Sequence, residues 1–123
     1  MQLTKNFNLS EFQSKDGAEM PQDVFPNVQK LANQLQVLRD YLCFPIHINS
    51  GYRSEKHNKA VGGVKNSYHL LGMACDKKIH GVPPKVIYDA IEFLISEGSM
   101  LQGGLRLYSS FVHYDFRGRR VRW

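Results

Sequence analysis

A chain of 123 residues, 42% of them apolar, can bury one core but not two. No apolar run approaches the ~20 residues of a membrane span. The two cysteines, Cys43 and Cys75, stand in no metal-ligand spacing, so Cys75 is expected as a buried free thiol rather than half of a disulfide. The net charge of +5 favours an anionic polymer or headgroup surface as surroundings. Bases and aromatics do not interleave as they do in single-strand nucleic-acid platforms, so no nucleic-acid partner is expected.

Residues 1 to 26, with Asp16-Gly17, Pro21 and Pro26, read as an irregular lead-in pinned to the core by Leu9, Phe12 and Phe25. Val28, Leu31, Ala32, Leu35, Leu38 and Leu42 recur at helical spacing, which predicts an amphipathic helix over about 27 to 42. Pro45 to Asn49, with Ile46 and Ile48 on one face, reads as a short strand. A turn at Ser50 to Ser54 leads into a loop or short helix, and Gly62-Gly63 marks another turn. Ala74 to Ile79 is a second strand. Gly81-Val82-Pro83-Pro84 then opens a second helix with Val86, Ile87, Ala90, Ile91 and Leu94 as its apolar stripe, ended by Gly98. Leu105–Tyr108, Phe111–Phe116 and Val121–Trp123 read as a small antiparallel meander. The predicted fold is α+β, one domain over 1 to 123, with helices packed on one side of a small antiparallel sheet.

The chemistry concentrates in two segments. His69 and Asp76 lie in the run Ser67-Tyr68-His69-Leu70-Leu71-Gly72-Met73-Ala74-Cys75-Asp76, and His113 lies in Phe111-Val112-His113-Tyr114-Asp115. In the first strand Ala74, Asp76 and Lys78 share a face; in the second Phe111, His113 and Asp115 do. Two neighbouring strands can therefore aim Asp76 and His113 into one pocket, with His69 arriving from the preceding loop. Two imidazoles and a carboxylate make a three-ligand set for a divalent ion. A set of three leaves the fourth tetrahedral position open, which is the arrangement of catalytic rather than structural zinc.

Ser50-Gly51-Tyr52-Arg53-Ser54, His57-Asn58, Gly62-Gly63, Ser67-x-His69-x-x-Gly72-x-Ala74-x-Asp76, Gly103-Gly104 and Phe111-Val112-His113-x-Asp115-x-Arg117-Gly118 follow one another in this order. Together they resemble the zinc D-Ala-D-Ala carboxypeptidase family. Its relatives include phage L-alanyl-D-glutamate endopeptidases, vancomycin-resistance D-Ala-D-Ala dipeptidases and the hedgehog signalling domain. The likeness runs from about residue 46 to the C-terminus. It implies one zinc held by His69, Asp76 and His113, a substrate contacted by Arg53 and Ser67, and hydrolysis of a peptide bond in peptidoglycan. The compact chain points to a D,D-carboxypeptidase, with an L-alanyl-D-glutamate endopeptidase of the endolysin type as the alternative. Arg53 suits an oxyanion or a terminal carboxylate, since its fork offers parallel donors.

One position departs from the family. Many relatives carry an acidic general base three residues before the last histidine ligand, and here that residue is Ser110. Asp115, on the same strand face as His113, is the nearest carboxylate. It either takes the proton of the attacking water as catalytic base or holds a ligand histidine in the right tautomer. His57, His80 and His47 are weaker candidates. Without a base, the chain could be a zinc-containing wall-binding module with little hydrolysis. Met1 to Ser10 lacks the apolar core of a secretory signal. The expectation is a monomer that stays in the cytoplasm of a bacterial or prophage-bearing host until lysis or another route brings it to the wall. There the basic run Arg117 to Arg122 could hold anionic wall polymer.

Overall fold

The computed structural model describes residues 1–123. Two 3-10 turns, Leu9–Phe12 and Gln22–Val24, give the lead-in more order than its composition predicts. Asn8 and Glu11 form a capping box around the first. Phe12 and Leu9 are buried and Phe25 packs half-buried against the core, so the three pins expected of this segment hold it down. α1 (Phe25–Leu42) begins two residues earlier than its apolar spacing predicts, because Pro26 fits the first turn of a helix. It buries Val28, Leu31, Ala32, Leu35 and Leu38.

β1 (His47–Ser50), α2 (Glu55–Ala60) and β2 (Ala74–Lys78) follow. α3 (Pro84–Ser96) buries Ile87, Ala90, Ile91 and Leu94, and Gly98 beyond its end takes a φ of +80°. β3 (Gly104–Leu107), β4 (Val112–Asp115) and β5 (Val121–Arg122) complete the chain. The sheet has the order β1-β2-β4-β3-β5. Its pairs are antiparallel except β3 with β5, which is parallel. The expected meander is thus corrected at its last strand: β5 crosses back to the outer edge of β3 rather than pairing with β4. Glu92 on α3 supplies the reason, since it draws in Arg122 (Nη2 to Oε1 at 2.7 Å) and Arg120 (Nη1 to Oε1 at 3.2 Å).

The basic run is therefore no free solvated end. Arg120 and Arg122 are tied to Glu92, and Arg117 is tied to Asp115, leaving Arg119 as the cation of the run without a carboxylate partner.

One face of the sheet carries Ile48, Cys75, Leu105, Val112 and Tyr114 into the core formed with α1 and α3. Cys75 is a buried free thiol, and burial pushes it up to about 11. The same alternation buries Lys77 completely; its ammonium donates to the carbonyls of Cys75 (3.2 Å) and Val112 (3.3 Å). The other face carries Asp76 and His113. Register brings them together: Asp76 lies directly opposite His113, and Ser50 opposite Asp76. A bulge at Asn49 interrupts the β1–β2 pairing between Ile48 and Ser50. The extra residue reverses the alternation, so Ser50 turns to the Asp76 face although Ile46 and Ile48 are in the core.

Two stability predictions come from these contacts. Gly72 has a φ of +72°, and a Cβ there would lie 2.5 Å from Val24 Cγ1 and 2.8 Å from Val28 Cγ2. Gly72→Ala should lower the urea-unfolding free energy by about 2 kcal/mol. Hydrogen bonds from Arg122, outweighing partial burial, hold the Glu92 carboxyl below its ordinary value of 4.5. A carboxylate depressed on folding stabilises fully above that value and loses its contribution as pH falls below it. Glu92→Gln should accordingly cost about 1 kcal/mol at pH 7, and the difference from wild type should shrink in melts run at pH 3.

Candidate metal centre and cleft

His69 enters the site on a short 3-10 turn, Tyr68–Leu71, capped by Ser67, whose hydroxyl accepts the His69 N–H at 3.1 Å. Gly72 in its left-handed conformation closes the turn and lets the chain run on into β2. His69 Nδ1 lies 2.7 Å from the Gly51 carbonyl. A carbonyl can only accept, so Nδ1 carries the proton and Nε2 presents a lone pair to the cleft. Nε2 lies 3.3 Å from Asp76 Oδ1.

His113 is oriented with its ring the other way round. Its Nδ1 lies 3.0 Å from Asp76 Oδ1, and its Nε2 lies 2.8 Å from Asp115 Oδ2. With the proton on Nε2, held by the Asp115 carboxylate, the Nδ1 lone pair faces Asp76 and the cleft. One donor atom from each of His69, Asp76 and His113 thus converges, all within 4.8 Å of one another. Tetrahedral zinc at 2.0–2.2 Å from its ligands sets those ligands roughly 3.3–3.5 Å apart. The two nitrogen–Oδ1 separations of 3.3 and 3.0 Å come close to that spacing. Each imidazole also has its second nitrogen anchored on an acceptor, as metal-binding histidines do. The residues fit a divalent ion such as zinc.

Electrostatics follows the geometry. Burial raises the Asp76 carboxyl, but hydrogen bonds with His113 and His69 outweigh it and hold the group well below the usual carboxylate range. Burial pushes His69 down. Burial also opposes charge on His113, yet the hydrogen bonds to Asp115 and Asp76 outweigh it and raise that imidazole.

The other site candidates take distinct places. Arg53 lines the cleft, but every arm of its guanidinium is engaged: Nη2 donates to Asp76 Oδ2 at 3.0 Å, Nε to Ser50 Oγ at 2.9 Å and Nη1 to Asn58 Oδ1 at 3.2 Å. Asn58 is buried and also donates to the Val64 carbonyl, which braces the loop around Gly63. Ser67 lines the cleft with its hydroxyl hydrogen still able to donate. His47 and His80 are exposed, and neither they nor His57 line the cleft.

Asp115 does not line the cleft, and of the two roles expected of it this place fits holding His113 in one tautomer. It is fully buried. Oδ1 accepts from the Gly104 N–H at 2.9 Å and Arg117 Nε at 2.8 Å; Oδ2 accepts from His113 and from Arg117 Nη2, both at 2.8 Å. Burial raises this carboxyl, and hydrogen bonds from Arg117 and His113 outweigh it and hold it well below the usual range. The carboxylate sits behind the His113 ring, where it reaches the nitrogen pointing away from the cleft. Gly104 makes room for it, since a Cβ there would overlap Asp115 Oδ2.

The cleft is a cavity of about 240 Å³ with His69, Asp76 and His113 in its wall. Its far wall contains residues that the motifs do not single out: Arg106, Tyr108 and Trp123. Trp123 meets the His113 ring edge-on with centroids 5.3 Å apart. Arg106 on β3 lies opposite His113, and Tyr108, just beyond the end of β3, joins it in the cleft wall, a placement readable in the sequence only once β3 is paired with β4.

Comparison with known proteins agrees with this geometry. The family model described as Peptidase M15 matches residues 2–115. A protein of Haemophilus influenzae named "Probable peptidoglycan L,D-endopeptidase MepK" is 38% identical over 77 residues, covering 57% of this chain and 38% of that protein. The chain thus spans well under half the length of that relative. With the match running through nearly its whole length, and a His-Asp-His set in the wall of a cleft, the chain belongs to the Peptidase M15 family.

Proposed function

We propose that the protein is a zinc-dependent peptidase that hydrolyses a peptide bond in peptidoglycan stem or cross-link peptides. The carrying observation is the convergence of His69 Nε2, Asp76 Oδ1 and His113 Nδ1 on one open cleft in a chain of this family. The relative's name favours an internal L,D bond over the terminal D-Ala-D-Ala bond to which the compact sequence points. Such a substrate requires the protein to reach the cell wall.

Zinc held there supplies Lewis acidity toward a peptide carbonyl and a nucleophilic water at neutral pH. The chain's own residues supply the rest. His69 and His113 offer lone pairs because Gly51 and Asp115 hold their protons on the opposite nitrogens. Arg53, beside Asp76, places a guanidinium where negative charge develops on the carbonyl oxygen. Ser67 offers a hydroxyl to the substrate backbone. Asp115 acts through His113 as a positioning residue.

A specific observation favours a second reading. Ser110 is exposed, and the one carboxylate in the cleft wall is Asp76, itself a member of the metal set. A zinc-containing module that binds wall peptide and hydrolyses it slowly fits the same site. Digestion of purified peptidoglycan, with mass spectrometry of the new amino and carboxyl termini, separates the readings and identifies the bond. Absence of zinc-dependent product would overturn the peptidase.

Metal analysis tests the ligand set: about one zinc per chain, lost in His69→Ala and in His113→Ala. Retention by both variants at full occupancy would refute it. Asp115→Asn separates positioning from base chemistry. A positioning residue predicts zinc affinity falling roughly 10–100-fold, whereas a base predicts unchanged affinity with turnover abolished.

A further inference from the structure

Register places a fourth side chain in line with the metal set. Across the sheet, Ser50 lies opposite Asp76, Asp76 opposite His113, and His113 opposite Arg106. Directly opposite residues project from the same face, and neighbouring strands are about 4.8 Å apart. Arg106 therefore stands one strand beyond His113 and two beyond Asp76, on the cleft side.

Its chemical state differs from that of the other arginines around the site. Arg53 is held by Asp76, Arg117 by Asp115 and Arg122 by Glu92. The Arg106 guanidinium has no carboxylate and no hydrogen-bond acceptor within the chain. It is held instead by rings, 4.7 Å from the centroid of Tyr108 and 6.0 Å from that of Trp123. Tyr108 is in turn stacked on Phe111 at 4.3 Å. Aromatic faces restrain a guanidinium while leaving its in-plane N–H donors open. A planar, partly buried, uncommitted fork is suited to bidentate capture of a carboxylate.

We propose that Arg106 is the specificity-determining residue that binds a free carboxylate of the peptide substrate. The carboxylate lies one or two residues from the bond positioned over His69, Asp76 and His113, since a peptide advances ~3.3–3.6 Å per residue. The inference rests on the peptidase reading above and names what that site recognises. The carboxylate comes either from the peptide's C-terminus or from a side chain next to the scissile bond; the fork recognises both alike.

The test uses the zinc-loaded protein and three synthetic stem pentapeptides: the free acid, its C-terminal amide, and a form with side-chain carboxylates amidated. Trp123 is the sole tryptophan, so its fluorescence reports binding beside Arg106 independently of turnover; initial rates are measured in parallel. Wild type should bind and process the free acid at least 10-fold better than one of the two amides, and which amide suffers identifies the carboxylate. In Arg106→Gln that ratio should fall to near one. Arg106→Lys, which keeps the charge but not the fork, should retain an intermediate ratio and also serves if the glutamine variant folds poorly. A wild-type ratio near one, or a ratio unchanged in Arg106→Gln, overturns the proposal. If no peptide is cleaved but fluorescence shows the Arg106-dependent preference, the peptidase reading fails and this assignment stands. Cleavage with a preference independent of Arg106 gives the reverse.

Discussion

The structure depends most on the face-to-face pairing of Asp76 with His113 across β2 and β4. That register puts a carboxylate oxygen 3.0 Å from an imidazole nitrogen and sets the plane in which the third donor must arrive. A slip of one residue would turn Asp76 or His113 into the core, because strand side chains alternate faces. The opposite parity is filled by Cys75, Val112 and Tyr114, all without solvent exposure. Packing on one face thus fixes the chemistry on the other.

Burying so many charged groups is costly unless each has partners. The chain answers with two linked clusters. Asp76 is shared by His69, His113 and Arg53, and Asp115 by His113, Arg117 and the Gly104 amide. His113 joins the two, with one ring nitrogen on each carboxylate. Its orientation is therefore determined from both sides, and the lone pair offered to a metal has a fixed direction. The glycines around this network are sites of close approach: Gly63 packs on Asn58 and Arg53, and Gly104 on Asp115 and Arg117. Larger residues would displace the groups that orient the site.

The cleft's two walls are made differently. One is loop, built around Ser67, His69 and Gly63 and braced by Asn58. The other is sheet edge, where Arg106, Tyr108 and Trp123 stack as alternating cation and rings. The second wall exists because Arg122 and Arg120 fasten β5 to Glu92 and bring Trp123 back over His113. Charge that looks like a basic tail in the sequence is structural wiring in the fold.

The sequence by itself determined the elements whose signals are local. The apolar spacing of α1 and α3, the Gly98 stop and the alternation of β2 and β4 were all legible, as was the trio His69, Asp76 and His113, since residue type and strand parity suffice to align them. The tertiary structure decided what depends on partners distant in the chain. The bulge at Asn49 turns Ser50 toward Arg53, and nothing near Asn49 signals it because a bulge is a property of two paired strands. The parallel docking of β5 hangs on Glu92, about 30 residues earlier. Asp115 shared a face with His113 as parity required, but whether it met solvent or Arg117 was settled by the turn after β4 and by the space at Gly104. Arg106 became part of the site only when β3 paired with β4, because a side chain lying between two motifs is placed by register and not by its neighbours in sequence.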